Sequence, residues 1–176
     1  MIRYIKQPNL SGCGPIALMN ALKWANVEVH LSQFHVFKKA CGANGDGCDD
    51  IGMSRGLSRQ KYIKAKFIKN VTLAQINKAL KSGKSVIFGY CRESKDGAEK
   101  GGWEGHYVFI ARKTKKRHEI INHAPDRVFD RVSKETRAKF IKTKALVSEN
   151  FVKNHIQRHW ERGDEGSLDC WIISKN

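Results

Sequence analysis

Gln7-Pro-Asn-Leu-Ser-Gly-Cys13-Gly-Pro-Ile-Ala-Leu18 sets a cysteine between two glycines, at the head of a run whose apolar residues return at helical spacing. Ile16, Ala17, Ala21, Leu22 and Trp24 carry that spacing on, which predicts a helix from Cys13 to Trp24. Pro15 falls in its first turn, where a missing N–H breaks no helical bond. The start of a helix carries roughly half a positive charge and favours a thiolate over a thiol. Gly12 and Gly14 leave space for a substrate backbone beside the sulfur. Gln7 stands six residues before Cys13, on a segment that reads as extended through Asn9. From there its side-chain amide can aim a donor at the point reached by the Cys13 backbone N–H, and two such donors make an oxyanion hole.

A nucleophilic thiol also needs a proton acceptor, and the second half of the chain offers one. Ser85 to Cys91 is a β-prone run, followed by a Gly- and charge-rich loop up to Gly105. His106-Tyr-Val-Phe-Ile-Ala111 and His118-Glu-Ile-Ile-Asn122 flank the basic turn Arg112 to Arg117, the pattern of an antiparallel hairpin. His106 opens the first strand of that hairpin, placed to act as general base and then general acid. Asn122, sixteen residues later at the end of the partner strand, has a side-chain oxygen that can accept from the imidazole and hold its tautomer. Asp126 is an alternative third member, and Trp103, just before His106, can shield the site or line a substrate cleft with Gly105.

Gln-x5-Cys-Gly at a helix start, Gly-His-Tyr-Val on a strand and Ile-Asn-His-Ala-Pro after a hairpin resemble the papain-like cysteine peptidases, and most of all the compact C39-like group that includes bacteriocin leader peptidases. The resemblance spans about residues 4–126 and implies a papain-like α+β fold, with an N-terminal helix bearing the cysteine packed on an antiparallel sheet bearing His and Asn. It implies Cys13 as nucleophile, His106 as base, Asn122 as orienting residue and Gln7 in the oxyanion hole. The group more often shows Asp than Asn as third member, which keeps Asp126 in play. No propeptide is expected ahead of Cys13 and no transporter domain behind. A deamidase or transglutaminase-like enzyme would use the same chemistry.

The rest of the chain reads as one domain over residues 1–176, with 127–176 as a helical extension closed by a last strand, Cys170 to Ser174. Ser32 is placed to cap a short helix through Lys39, residues 42–58 read as a Gly- and Asp-rich loop, and Thr72-Leu-Ala-Gln75 has the form of a capping box. Helices are expected near 133–142 and 148–162.

The chain of 176 residues holds 33 Lys and Arg against 17 Asp and Glu, a net charge of +16. With 40% apolar residues it is a globule rather than a disordered basic tail, and no apolar run approaches the ~18 residues of a membrane span. The N-terminus lacks the pattern of a signal peptide, so a cytoplasmic setting with reduced thiols is expected for its five cysteines. Residues 1–126 carry +12 of the charge, with clusters at Arg55 to Lys69 and at the hairpin tip. An excess this large suits an acidic peptide or protein substrate. It also leaves open a basic binding module for nucleic acid or an acidic protein on the same scaffold. No cofactor is called for. His30, His35, Cys41 and Cys48 lack the tight spacing of a zinc set, and the Asn44–Cys48 loop would put Arg55 where a calcium loop needs Glu. Gly83-Lys-Ser85 lacks the preceding glycine of a phosphate loop, and His155 and His159 share a helical face without the metalloprotease motif.

Overall fold

The computed structural model of the chain describes residues 2–7, 12–45, 47–93, 103–115, 117–121, 139–141, 144–148, 152 and 170–176. Helix α1 runs Cys13–Trp24, as its apolar spacing predicts. A 3-10 turn (Leu31–Gln33) leads into α2 (Phe34–Ala40), and α3 (Asp50–Ser58) follows. Strand β1 (Ile63–Ile68) precedes α4 (Leu73–Lys81), and then come β2 (Ser85–Glu93), β3 (Trp103–Lys113), β4 (Arg117–Ile121), β5 (Lys139–Ile141), β6 (Lys144–Ser148) and β7 (Cys170–Lys175). The seven strands form one sheet in the order β1-β7-β2-β3-β4-β6-β5, and each neighbouring pair is antiparallel. The fold is α+β.

Strand alternation sends successive side chains to opposite faces, and each face has its own helix. Tyr107, Phe109 and Ala111 of β3 join Ile87, Ile121, Trp171 and Ile173 in a core with Ile16, Ala17 and Leu18 of α1. Val108 and Ile110 join Val86, Phe88, Ile120 and Cys170 in a second core with Ile76, Ala79 and Leu80 of α4. Phe109 and Trp171 are fully buried, and each contributes about 2–3 kcal/mol through the apolar area it removes from water. The Thr72 capping box is present: Gln75 N–H donates to Thr72 Oγ1 at 3.3 Å, and Thr72 N–H donates to Gln75 Oε1 at 2.8 Å. Gly83, with φ +74°, ends that helix.

Four expectations are corrected. Residues 50–58 are helical rather than loop, because Asp49 caps α3 by accepting from Gly52 N–H at 2.6 Å. The glycines that suggested a loop serve close packing: a Cβ on Gly52 would stand 2.1 Å from the Cys41 carbonyl oxygen, and one on Gly56 would stand 2.6 Å from Cys41 Sγ. Ser32 lies inside the 3-10 turn, whose N-cap is His30, with its N–H bonded to Gln33 Oε1 at 2.9 Å. Trp103, Glu104 and Gly105 belong to β3, paired with Glu93, Arg92 and Cys91, where a loop was expected. Residues 139–141 form β5, where a helix was expected, and hydrogen-bond to β6 on the far side of β4. Strand β1, edge of the sheet, had no counterpart in the sequence reading, although Ile63, Ala65 and Phe67 alternate with Lys64 and Lys66 as a strand requires. Of the helix expected over 148–162, Val152 is helical and Ser148 ends β6; the remainder lies outside the described residues.

Candidate active site

Cys13 is the first residue of α1 and is buried. Gly12 is the N-cap and brings no side chain to the helix start, and the first turn holds no acidic residue. The positive end of α1 therefore meets the thiol without a carboxylate from that turn to offset it. Gly14 is packed on every side. A Cβ there would lie 2.2 Å from Cys48 Sγ, 3.1 Å from Met53 Cε and 3.4 Å from the Tyr107 ring. The second glycine of the motif thus lets α1 settle against α3 and β3. It is filled space, and the room for a substrate backbone that the sequence suggested is not at Gly14.

Gly14 packs against the Tyr107 ring, which sets the start of α1 on β3. His106 lies on β3 opposite Tyr90 of β2 and is 1% exposed. The hydroxyl of Tyr107 donates to Asp50 Oδ1, which ties β3 to the first residue of α3. Burial, and then that hydrogen bond, push the Tyr107 phenol well above its ordinary value, so it is a fixed donor. Its ring also meets Trp171 edge-on at 5.6 Å, and Trp171 Nε1 donates to Ser54 Oγ at 2.9 Å. These contacts make α3 and β3 one rigid platform behind α1.

Gln7 is half-buried, with its side-chain oxygen out of water. The segment that carries it is anchored two residues earlier. Ile5 N–H donates to Asn20 Oδ1 at 2.8 Å, and Asn20 Nδ2 donates back to Ile5 O at 3.1 Å. A buried asparagine of α1 thus pairs with one backbone unit as a neighbouring strand would. Tyr4 and Ile5 are buried beside it, and burial raises the Tyr4 phenol to about 12, with Glu119 adding to the shift.

Of the remaining candidates, Trp103 and Gly105 are placed by their backbone in β3. Asn122 and Asp126 lie outside the described residues; β4 ends at Ile121, which pairs with Phe109. The zinc candidates separate: His30 pairs with Glu28 and His35 with the Ser32 carbonyl. Among the described residues no group of three metal-ligating side chains converges. No described helix is long and apolar enough to cross a membrane.

Sequence reasoning missed Asn20 and Asp50. Asn20 had a signal, because it is a polar residue on the helical stripe that contains Ile16, Ala17 and Ala21. Asp50 had none, since its partner Tyr107 is 57 residues away.

No protein-family model and no curated protein matches the sequence. Solved structures do match. The peptidase domain of Streptococcus ComA, a bifunctional ABC transporter involved in quorum sensing, superposes with a TM-score of 0.57 at 12% identity, over 100% of both chains. A double-glycine-motif protease from an AMS/PCAT transporter, crystallised with its leader peptide, gives 0.56 at 17% identity over 100% of this chain and 93% of that one. A C39-like peptidase from Bacillus anthracis gives 0.57 at 11% identity over 98% and 94%. At these identities the likeness is one of fold, and it runs the length of the chain: this protein has the papain-like fold of C39 peptidase domains.

Proposed function

We propose that the protein is a cysteine peptidase of the C39-like kind, hydrolysing peptide bonds through a thioester acyl-enzyme. The observation that carries the reading is the position of Cys13, a buried thiol at the N-terminus of α1, whose first turn holds no acidic residue, in a fold shared with C39 peptidase domains. In the proposed mechanism His106 takes the Cys13 proton and the thiolate attacks the scissile carbonyl. The Cys13 backbone N–H and the Gln7 side-chain amide stabilise the oxyanion, and His106 returns the proton to the leaving amine. Water, activated by His106, then releases the acid. Asn122, with Asp126 as the alternative, orients the imidazole. Gly12, Trp103 and Gly105 are assigned to the substrate cleft.

The substrate is a peptide or protein. One of the similar structures holds a leader peptide, which supports a peptide ligand for this scaffold. The net charge of +16 favours substrates of acidic character. The nucleic-acid alternative finds no support in the similar structures.

The test is to offer the protein a peptide library and, in parallel, an epoxysuccinate that alkylates active thiols. The reading expects cleaved fragments, one equivalent of label on Cys13, and loss of both in Cys13→Ala. Ammonia release without cleavage would replace it with a deamidase. Label spread evenly over the cysteines, with Cys13→Ala unchanged, would end it.

A further inference from the structure

Two more thiols lie behind the nucleophile, and the proposed reaction uses neither. Cys41 follows the last turn of α2 and Cys48 precedes the cap of α3, so they frame an eight-residue loop, Cys41-Gly-Ala-Asn-Gly-Asp-Gly-Cys48. The loop is folded on itself, with Asn44 N–H bonded to Gly47 O at 2.9 Å and Gly47 N–H to Asn44 O at 3.4 Å. Its ends are pressed between α1 and α3. Cys48 Sγ lies 2.2 Å from where a Gly14 Cβ would be, near Met53, and Cys41 Sγ lies 2.6 Å from where a Gly56 Cβ would be, near Leu18. Positions 14 and 18 are one turn apart on α1, and 53 and 56 nearly one turn apart on α3. The two sulfurs therefore occupy adjacent turns of the same helix–helix seam. They hydrogen-bond to each other across it.

We propose that Cys41 and Cys48 are a redox-active thiol pair, converted to an intramolecular disulfide by exchange with a low-molecular-weight disulfide such as glutathione disulfide. Cys48 is the partly exposed member and Cys41 is 1% exposed, so exchange enters at Cys48. The Cys48 thiol gives up its proton, its sulfur bonds to one glutathione sulfur, and the other glutathione leaves as a thiol with that proton. The Cys41 sulfur then bonds to Cys48 Sγ and displaces the second glutathione, which takes the Cys41 proton. Two protein thiols and one glutathione disulfide become one protein disulfide and two glutathione thiols. The hydrogen bond between the thiols holds Cys41 below its ordinary value and, with burial, pushes Cys48 up, so entry at Cys48 is the slow step and quickens as pH rises, and Cys41 is suited to the resolving step.

The chemistry is independent of peptidase activity and is read without it. The unmodified chain and its Cys13→Ala variant are equilibrated with glutathione disulfide, quenched in acid, and examined by intact mass and peptide mapping. The expected result is a mass loss of two hydrogen atoms, a Cys41–Cys48 linked peptide and full reversal by dithiothreitol. In Cys41→Ser the reaction stops with glutathione on Cys48. Retention of both thiols, stable glutathione on Cys48 in the unmodified chain, or a bond from either residue to another cysteine would overturn the proposal.

Discussion

Asn20 holds the N-terminal segment by two hydrogen bonds to Ile5, at 2.8 and 3.1 Å, in a fully buried position. Replacing it with alanine leaves the Ile5 N–H and C=O facing an apolar core. Each unpaired buried group costs about 1–3 kcal/mol, so the intact fold would lose about 2–6 kcal/mol. A ceiling comes from the alternative in which residues 2–7 peel away into water, forfeiting the burial of Tyr4 and Ile5 at about 1.5–3 kcal/mol each. The smaller cost prevails, and a loss of about 3 kcal/mol is expected from urea unfolding of Asn20→Ala. Asn20→Asp sharpens the reasoning. Its carboxylate still accepts from Ile5 N–H but faces Ile5 O with no proton to donate. The protonated acid restores that donor, so this buried group has a folded pKa above the unfolded value of about 3.9. Folded protein then binds the extra proton, and the variant regains stability as pH falls through the folded pKa. Gln7 lies two residues beyond Ile5, so both variants lower kcat more than they raise KM. A loss under about 1 kcal/mol in Asn20→Ala, with no acid recovery in Asn20→Asp, would refute the clamp.

Gly14→Ala places a methyl group 2.2 Å from Cys48 Sγ and costs about 1–3 kcal/mol of overpacking, and Cys48→Ala in the same chain recovers most of it; additive losses in thermal melts would contradict that packing. His118 is buried with its Nε2–H donating to Asn77 Oδ1 at 2.8 Å, and burial, reinforced by Lys113, lowers its pKa from 6.5 to about 4. The unfolded chain thus binds the proton first: stability is full above pH 6.5, falls as pH drops toward 4, and loses about 3 kcal/mol in all. His118→Gln removes that slope, and an unchanged acid limb would assign the loss to other groups. Gln7→Ala lowers kcat by about 10²–10³ with little change in KM, as expected for a donor used only on the oxyanion; equal changes in both constants would remove Gln7 from that role.

The parts of the fold set by local pattern were legible in the sequence. The apolar stripe of α1, the Thr72 box of α4 and the alternation of β3 and β4 each declare their element within a dozen residues. What escaped depends on partners distant in the chain. Gly52 and Gly56 read as loop residues until Cys41 is seen lying across them, and the short alternation of β1 gains its place only from β7, which pairs with it over six residues. The lysine-bearing stretch at 139–141 becomes a strand only because β6 is beside it. At the site, the cysteine at a helix start and the histidine on a strand were legible from spacing. Asn20 left a trace as a polar residue on an apolar stripe, but its partner Ile5 and the Tyr107–Asp50 tie were not legible, because each joins segments whose proximity is a property of the fold.

The central claim is that Cys13 is a nucleophile activated by His106. Its most direct test is the rate of Cys13 alkylation by iodoacetamide as a function of pH, followed by peptide mass in the wild-type chain and in His106→Ala. Ordinary thiols, with pKa values near ~8.5, hold about one part in a thousand as thiolate at pH ~5.5 and scarcely react there. The account predicts fast alkylation of wild-type Cys13 at that pH and a profile shifted toward alkaline pH in His106→Ala. Cys13 reacting only above neutral pH, with the same profile in both proteins, would contradict it.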